Sequence, residues 1–182
     1  LTNTGEEAVS LDGYVLTLWS NARTENWRID GSSPTSRDNL EGLSIPAQGF
    51  LLLGNRGAVL PSYATADLAT NNTPNFNGDD SVVLYDTSRG EVGSLAGIVD
   101  ALPFTDNGNE GRDRSFYRLS NEKGYDELTS GSTVLDFPDV WGEKSNGEVD
   151  EATGSDPWYL SDFGSSASDS LVLSLSLESI PE

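Results

Sequence analysis

The chain contains no cysteine, no histidine and no methionine. Without cysteine there are no disulfides, no thiolate-bound zinc and no thiol nucleophile. Without histidine the commonest general base and the commonest transition-metal ligand are missing, so a serine–histidine–aspartate relay cannot be assembled within this chain. Basic residues are scarce, with 10 Lys and Arg against 30 Asp and Glu and a formal net charge of −20. A field of that sign repels phosphate backbones and anionic lipid surfaces, which argues against direct nucleic-acid binding. It suits solubility in a saline or extracellular setting. No apolar run approaches the length of a membrane span. Helical periodicity is absent over any useful length, and residues 59–68 suffice for one short helical turn. The first residue is Leu1 rather than Met, so the expectation is a piece of a larger product with any signal peptide lying upstream.

What is present is strand-forming. The 182 residues are enough for one domain with its own core. From Val9 to Trp19 apolar and polar residues alternate after Gly13, placing Tyr14, Leu16 and Leu18 on one face. Phe50-Leu51-Leu52-Leu53-Gly54-Asn55 is a short apolar run that suits a strand buried on both faces. Ser81 to Tyr85 is β-branched and aromatic, the mix that fits a pleated surface. Before it, Asn77-Gly78 tolerates positive φ, and Asp79 and Asp80 are suited to accept hydrogen bonds from turn N–H groups. Leu95–Val99 and Ser115–Leu119 are further strand candidates. Short strands between clusters of Gly, Asn, Asp and Pro indicate an all-β sandwich or barrel. The expected core is Leu11, Tyr14, Leu16, Phe50, Leu52, Val82, Leu84, Ile98 and Phe116.

Residues 136–164 lack a regular pattern and read as a long irregular wrap, anchored by Phe137, Trp141, Trp158, Tyr159 and Phe163. Residues 165–170 are serine-rich, as linkers are. Beyond them Leu171, Leu173, Leu175 and Leu177 alternate with other residues and point one way. The expected division is therefore a β-sandwich over 1–164, a linker over 165–170 and an extended strand over 171–182. That last strand is either the start of a following β-repeat or an edge strand of the same sandwich. The Ser-Leu alternation leading into Ile-Pro-Glu resembles the opening strand of repeats in large bacterial surface proteins.

Four pieces, in order, carry a wider resemblance. They are Leu1 to Leu16 with its Leu-Asp-Gly-Tyr step, Ile45-Pro46-Ala47-Gln48-Gly49-Phe50-Leu51-Leu52-Leu53, Asn75 to Tyr85, and Val99-Asp100 followed by Arg114-Ser115-Phe116-Tyr117-Arg118. Together they resemble the lamin-tail domain in the form found in bacterial secreted proteins. The resemblance implies an immunoglobulin-like β-sandwich with no catalytic residues of its own. It departs from the family in three places: the family's first strand has no counterpart, the stretch from Trp19 to Leu40 is longer and more polar than a plain hairpin, and the acidic region after Leu119 is loosely matched.

The functional expectation is a non-catalytic module of a secreted or cell-surface protein, extracellular, and serving adhesion, assembly or binding of a protein or glycan. An accessory domain of an extracellular nuclease or phosphatase is one alternative. A fibre subunit that self-associates through an open sheet edge by strand addition is another. Neither a required cofactor nor a membrane span is expected. Calcium is the candidate ion: Asp106, Asn107, Asn109 and Asp113 place oxygen ligands around glycines, as a hard cation favours, although the register is not that of an EF-hand. Asp150, Glu151 and Asp156 form a weaker acidic cluster. Trp19 and Trp27, in and beside the polar stretch Ser20 to Asn26, are the first choice for a stacking surface that holds a ligand. Asn71-Asn72-Thr73 meets the N-glycosylation pattern, taken as chance in a bacterial protein.

Overall fold

The computed structural model describes residues 1–3, 5–21, 27, 29, 31–57, 65–76, 79–103, 114–118, 140–145 and 171–172. Its strands are β1 (Thr2–Asn3), β2 (Val9–Ser10), β3 (Tyr14–Trp19), β4 (Ser36–Asn39), β5 (Ser44–Ile45), β6 (Leu53–Asn55), β7 (Leu68–Thr70), β8 (Ser81–Asp86), β9 (Ile98–Leu102), β10 (Arg114–Arg118), β11 (Trp141–Ser145) and β12 (Leu171–Val172). Among the described residues there is no α-helix, only short 3-10 turns such as Leu95–Gly97 ahead of β9. The fold is all-β. No helix among the described residues is long and apolar enough to cross a membrane.

The two most apolar alternating segments, β3 and β8, pair antiparallel at the centre of a four-stranded sheet of order β4-β3-β8-β9. Their register sets Leu16 opposite Leu84 and Leu18 opposite Val82, so these side chains share one face. There they join Leu102 and pack against Leu1, Leu11, Leu40, Ile45, Leu51, Phe116, Val140 and Trp141. That second layer comes from short strand pairs, β2 with β5 and β10 with β11, together with the N-terminal strand. Each such side chain contributes about 1.5–3 kcal/mol relative to exposure.

Alternation sends Thr17, Trp19, Val83 and Tyr85 to the opposite face, and all four are buried as well. The Thr17 hydroxyl donates to the Val83 carbonyl at 2.9 Å and accepts from Trp19 Nε1 at 2.9 Å. This fixes the indole and satisfies the polar atoms that burial would otherwise strand. A bulge between Leu84 and Tyr85 pairs Leu84 with Asp100 but Tyr85 with Ile98. One residue of β9 is therefore extra, and Ile98 turns to the Tyr85 face while Leu102 stays with Leu84.

Several sequence expectations shift. The Phe50–Asn55 run is not a strand buried on both faces. Phe50 makes one bridge to Thr2 and is 44 % exposed, Leu51 is the buried residue, and regular pairing starts at Leu53. The chain is held there by Leu1 and Asn3, whose bonds to Leu51 and Gly49 set which side chains point inward. Leu52 and Tyr14 are only partly buried. Leu95–Val99 divides into the 3-10 turn and the start of β9. Inside the expected irregular wrap, Trp141 opens strand β11, which pairs with β10 over its whole length. Parallel pairing of β6 with β7 was not foreseen. The Asn77-Gly78 turn and the linker at 165–170 lie outside the described residues.

Candidate functional site

Two connections build the far side of the central sheet. The β3–β4 connection leaves at the end where Trp19 faces Ser81, and the β8–β9 connection leaves at the opposite end, where Tyr14 faces Asp86. They meet across the Trp19–Tyr85 face. The Gly31 N–H donates to the Gly93 carbonyl at 3.1 Å. A Cβ placed on Gly93 would lie 2.0 Å from the Ser32 carbonyl oxygen, and Gly93 sits at φ +89°. Only glycine fits a backbone approach that close at that dihedral. Within the second connection Gly90 and Gly97 also approach closely, a Cβ on Gly97 lying 2.6 Å from the Gly90 carbonyl oxygen.

The neck of the first connection is tied by the Thr35 hydroxyl, which accepts from the Ser20 N–H at 3.0 Å and lies 2.8 Å from the Ser20 hydroxyl. The Asn21 N–H donates to the Asp80 carboxylate at 3.1 Å. Trp27 from the first connection and Val92 from the second fill the space over Trp19, Val83, Tyr85, Ile98 and Ala101. The result is a loop layer over an aromatic core. Two residues along the sequence from Gly31 and from Gly93 stand two exposed large apolar side chains, Ile29 at 57 % and Leu95 at 49 %.

The loop layer overturns one expectation directly. Trp19 and Trp27 are 0 % and 2 % exposed, so neither ring offers a face to a sugar. They are packing residues, drawn inward because an indole buries more apolar area than any neighbour in that polar stretch. Trp141 is buried too. The calcium candidates Asp106, Asn107, Asn109 and Asp113 lie outside the described residues, as do Asp150, Glu151 and Asp156. Among the described residues no group of three or more acidic side chains is placed to hold a metal ion. Asp80 is buried, and its carboxylate accepts from the Asn21 N–H. Asn71 of the glycosylation pattern is exposed in a bend.

Sequence reasoning missed a polar clasp on the β4 side of the sheet. Asp38, opposite Leu16, is buried. Its Oδ1 accepts from the Thr70 hydroxyl at 2.7 Å and from Asn72 Nδ2 at 2.8 Å, and its Oδ2 accepts from the Thr73 N–H at 2.9 Å. Thr73 in turn donates its hydroxyl to the Leu16 carbonyl at 3.2 Å. Burial alone would raise the Asp38 pKa, but the bonds from Thr73, Asn72 and Thr70 outweigh it and hold the carboxyl below its usual range. The clasp binds the segment after β7 to the sheet edge. Its signal lay in the alternation of Arg37, Asp38, Asn39 and Leu40, where the polar Asp38 occupies an inward position.

Two buried hydroxyl oxygens, Tyr85 Oη and Ser36 Oγ, make no hydrogen bond. Burial pushes the Tyr85 phenol well above its ordinary range, and the Gly93 backbone N–H opposes this in part without closing a bond. With this geometry in hand, comparison with family models, curated proteins and solved structures finds no match to the chain.

Proposed function

We propose that the chain is an immunoglobulin-like sandwich of lamin-tail type and serves as a non-catalytic binding module of a secreted or cell-surface protein. The observation that supports this is the loop layer: two connections locked together at Gly31 and Gly93 hold Ile29 and Leu95 outward on a fixed support. Loops carried on a rigid sheet are where binding residues concentrate. Apolar side chains exposed on them, within a strongly acidic surface, are the chemistry of a partner contact with a polar rim. The buried described carboxylates serve the fold; Asp38, Asp80 and Asp100 each accept a hydrogen bond from a backbone N–H of the chain itself. That is the arrangement of a scaffold.

The test uses the purified chain on a glycan array and on a panel of immobilised extracellular proteins, alongside the Ile29→Asp, Leu95→Asp double variant. The expected result is retention by the wild type, at least ten-fold weaker in the variant, with melting temperatures within about 2 °C of each other, because both positions are exposed. Binding that the double variant retains in full would remove the loop layer as the contact surface. Turnover of a polysaccharide or a phosphate ester by the isolated chain would overturn the non-catalytic reading.

A further inference from the structure

The first strand, β1, is fixed along one edge and completed along the other by residues from the far end of the sequence. On the fixed edge the Leu51 N–H donates to the Leu1 carbonyl at 2.8 Å, the Leu1 amine donates to the Leu51 carbonyl at 2.9 Å, and the Asn3 N–H donates to the Gly49 carbonyl at 2.8 Å. The Asn3 side chain adds a clasp. Its Nδ2 lies within donor reach of the carbonyls of Glu7, Ile45 and Pro46, at 2.7, 3.3 and 2.9 Å, and its Oδ1 accepts from the Gly5 N–H at 3.0 Å. None of these bonds involves β12. The other edge is taken by β12, with Thr2 opposite Val172 and Asn3 opposite Leu171, antiparallel.

The acceptor is therefore held in place by contacts that do not depend on the strand it receives. The donor has the matching character in sequence. It opens a run in which Leu171, Leu173, Leu175 and Leu177 alternate, and it follows Ser165-Ser166-Ala167-Ser168-Asp169-Ser170, a composition typical of flexible tethers. A segment that alternates in this way brings its own apolar face and needs an edge to pair with.

We infer that the outer edge of β1 is an exchangeable strand-acceptor site, and that its second occupant is the segment beginning at Leu171 of another copy of this chain. The bonds formed are the same within one chain and between two. The balance is then set by the effective concentration of the strand for the acceptor on its own chain, taken as about millimolar. Dilute chains close on themselves. Copies crowded to about that concentration exchange the strand at little cost, and a head-to-tail exchange that does not close on itself propagates. This inference is independent of the loop layer and of what binds there.

The cysteine-free sequence makes the test direct. The full chain is prepared as the single variants Thr2→Cys and Val172→Cys, distinguished by size tags, and as the double variant. Opposed positions of an antiparallel pair lie within disulfide reach, and a short bismaleimide covers any misfit of angle. The two singles are mixed, unfolded, refolded together at about 1 mM or about 10 μM, and joined. The expected result is a cross-linked heterodimer well above the background of either single alone, roughly a hundred-fold more abundant per chain at the higher concentration. The double variant at low concentration should close within one chain. A mixture that stays monomeric at about 1 mM while the double variant closes on itself would overturn the exchange. A double variant that closes with neither reagent would overturn the β1–β12 pairing itself.

Discussion

The two faces of the central sheet are buried by different means. One is covered by other strands and lined by aliphatic residues, Leu16, Leu18, Val82, Leu84 and Leu102 among them. The other is covered by two connections that start from opposite ends of the sheet, and half of its buried cluster is large rings, Trp19, Trp27 and Tyr85, beside Val83, Ile98 and Ala101. A strand layer brings its side chains in a regular array, so medium-sized aliphatic residues suffice to fill the space. A loop layer is irregular and leaves larger gaps, and bulky rings fill them. Each face carries one buried hydroxyl that has no hydrogen bond, Tyr85 on the loop-covered side and Ser36, opposite Leu18, on the other, whereas the buried carboxylate of Asp38 is met by three close donors.

The comparison breaks first if the loop layer contributes little to stability. Trp19→Ala on the loop-covered face should cost about 3–5 kcal/mol and Leu84→Ala on the strand-covered face about 2–5 kcal/mol. Urea unfolding followed by circular dichroism measures both, and each should lower the midpoint of one cooperative transition. A Trp19→Ala effect below about 1 kcal/mol would mean that the face is not packed as described. Next in size is Gly93→Ala, where the added methyl meets the Ser32 carbonyl at a dihedral that disfavours any side chain. Its expected cost is about 1–3 kcal/mol. Near-ultraviolet dichroism from the covering tryptophan should weaken while far-ultraviolet dichroism holds.

Much of the strand-covered face was legible in the sequence, and little of the loop-covered face was. Period-2 alternation identifies Leu16, because a sheet repeats that spacing wherever it is half-buried, and the β-branched and aromatic run Ser81 to Tyr85 identifies Val82 and Leu84 as strand residues. The same alternation sends Thr17, Trp19, Val83 and Tyr85 outward, and no local pattern says that Trp27 and Val92 will come to cover them. Trp27 looked like a binding residue because it stands in a polar stretch. It is buried against Trp19, Val83 and Tyr85 on the second face of the sheet. Ile98 changed faces through a bulge that no single residue announces. Asp38 sat in a polar segment, Ser36 to Asn39, that lacks every strand-forming residue type, and it becomes a strand position by pairing with β3, opposite Leu16.

Smaller effects sharpen the contrast. Asp38→Asn leaves the shape but presents an NH2 group to at least one of the three donors, at an expected cost of about 1–3 kcal/mol. The sign with pH is fixed by the lowered pKa of Asp38. The unfolded carboxyl takes up its proton near the ordinary value, about 3.9, and the folded one does so at lower pH. Its contribution is therefore complete above the unfolded value and is lost as pH falls through the folded one. The wild type should lose stability more steeply than the variant on the acid side, and urea midpoints from about pH 6 down to about pH 2.5 would show it. Tyr85→Phe should be the mildest change. Removing a buried hydroxyl that has no hydrogen bond leaves the melting temperature unchanged or raises it by a few degrees, up to about 1 kcal/mol.

Burial of the sheet on both sides is tested most directly by side-chain accessibility at adjacent positions. Val82 and Val83 point to opposite faces and both are 0 % exposed, and the chain has no thiol of its own. Val82→Cys and Val83→Cys variants are exposed to a small thiol reagent under native conditions. The account predicts that both thiols are protected, reacting at least a hundred-fold more slowly than in the unfolded chain, and that adding Gly93→Ala speeds reaction at position 83 while leaving position 82 protected. Immediate labelling at position 83 in the otherwise native chain would contradict it.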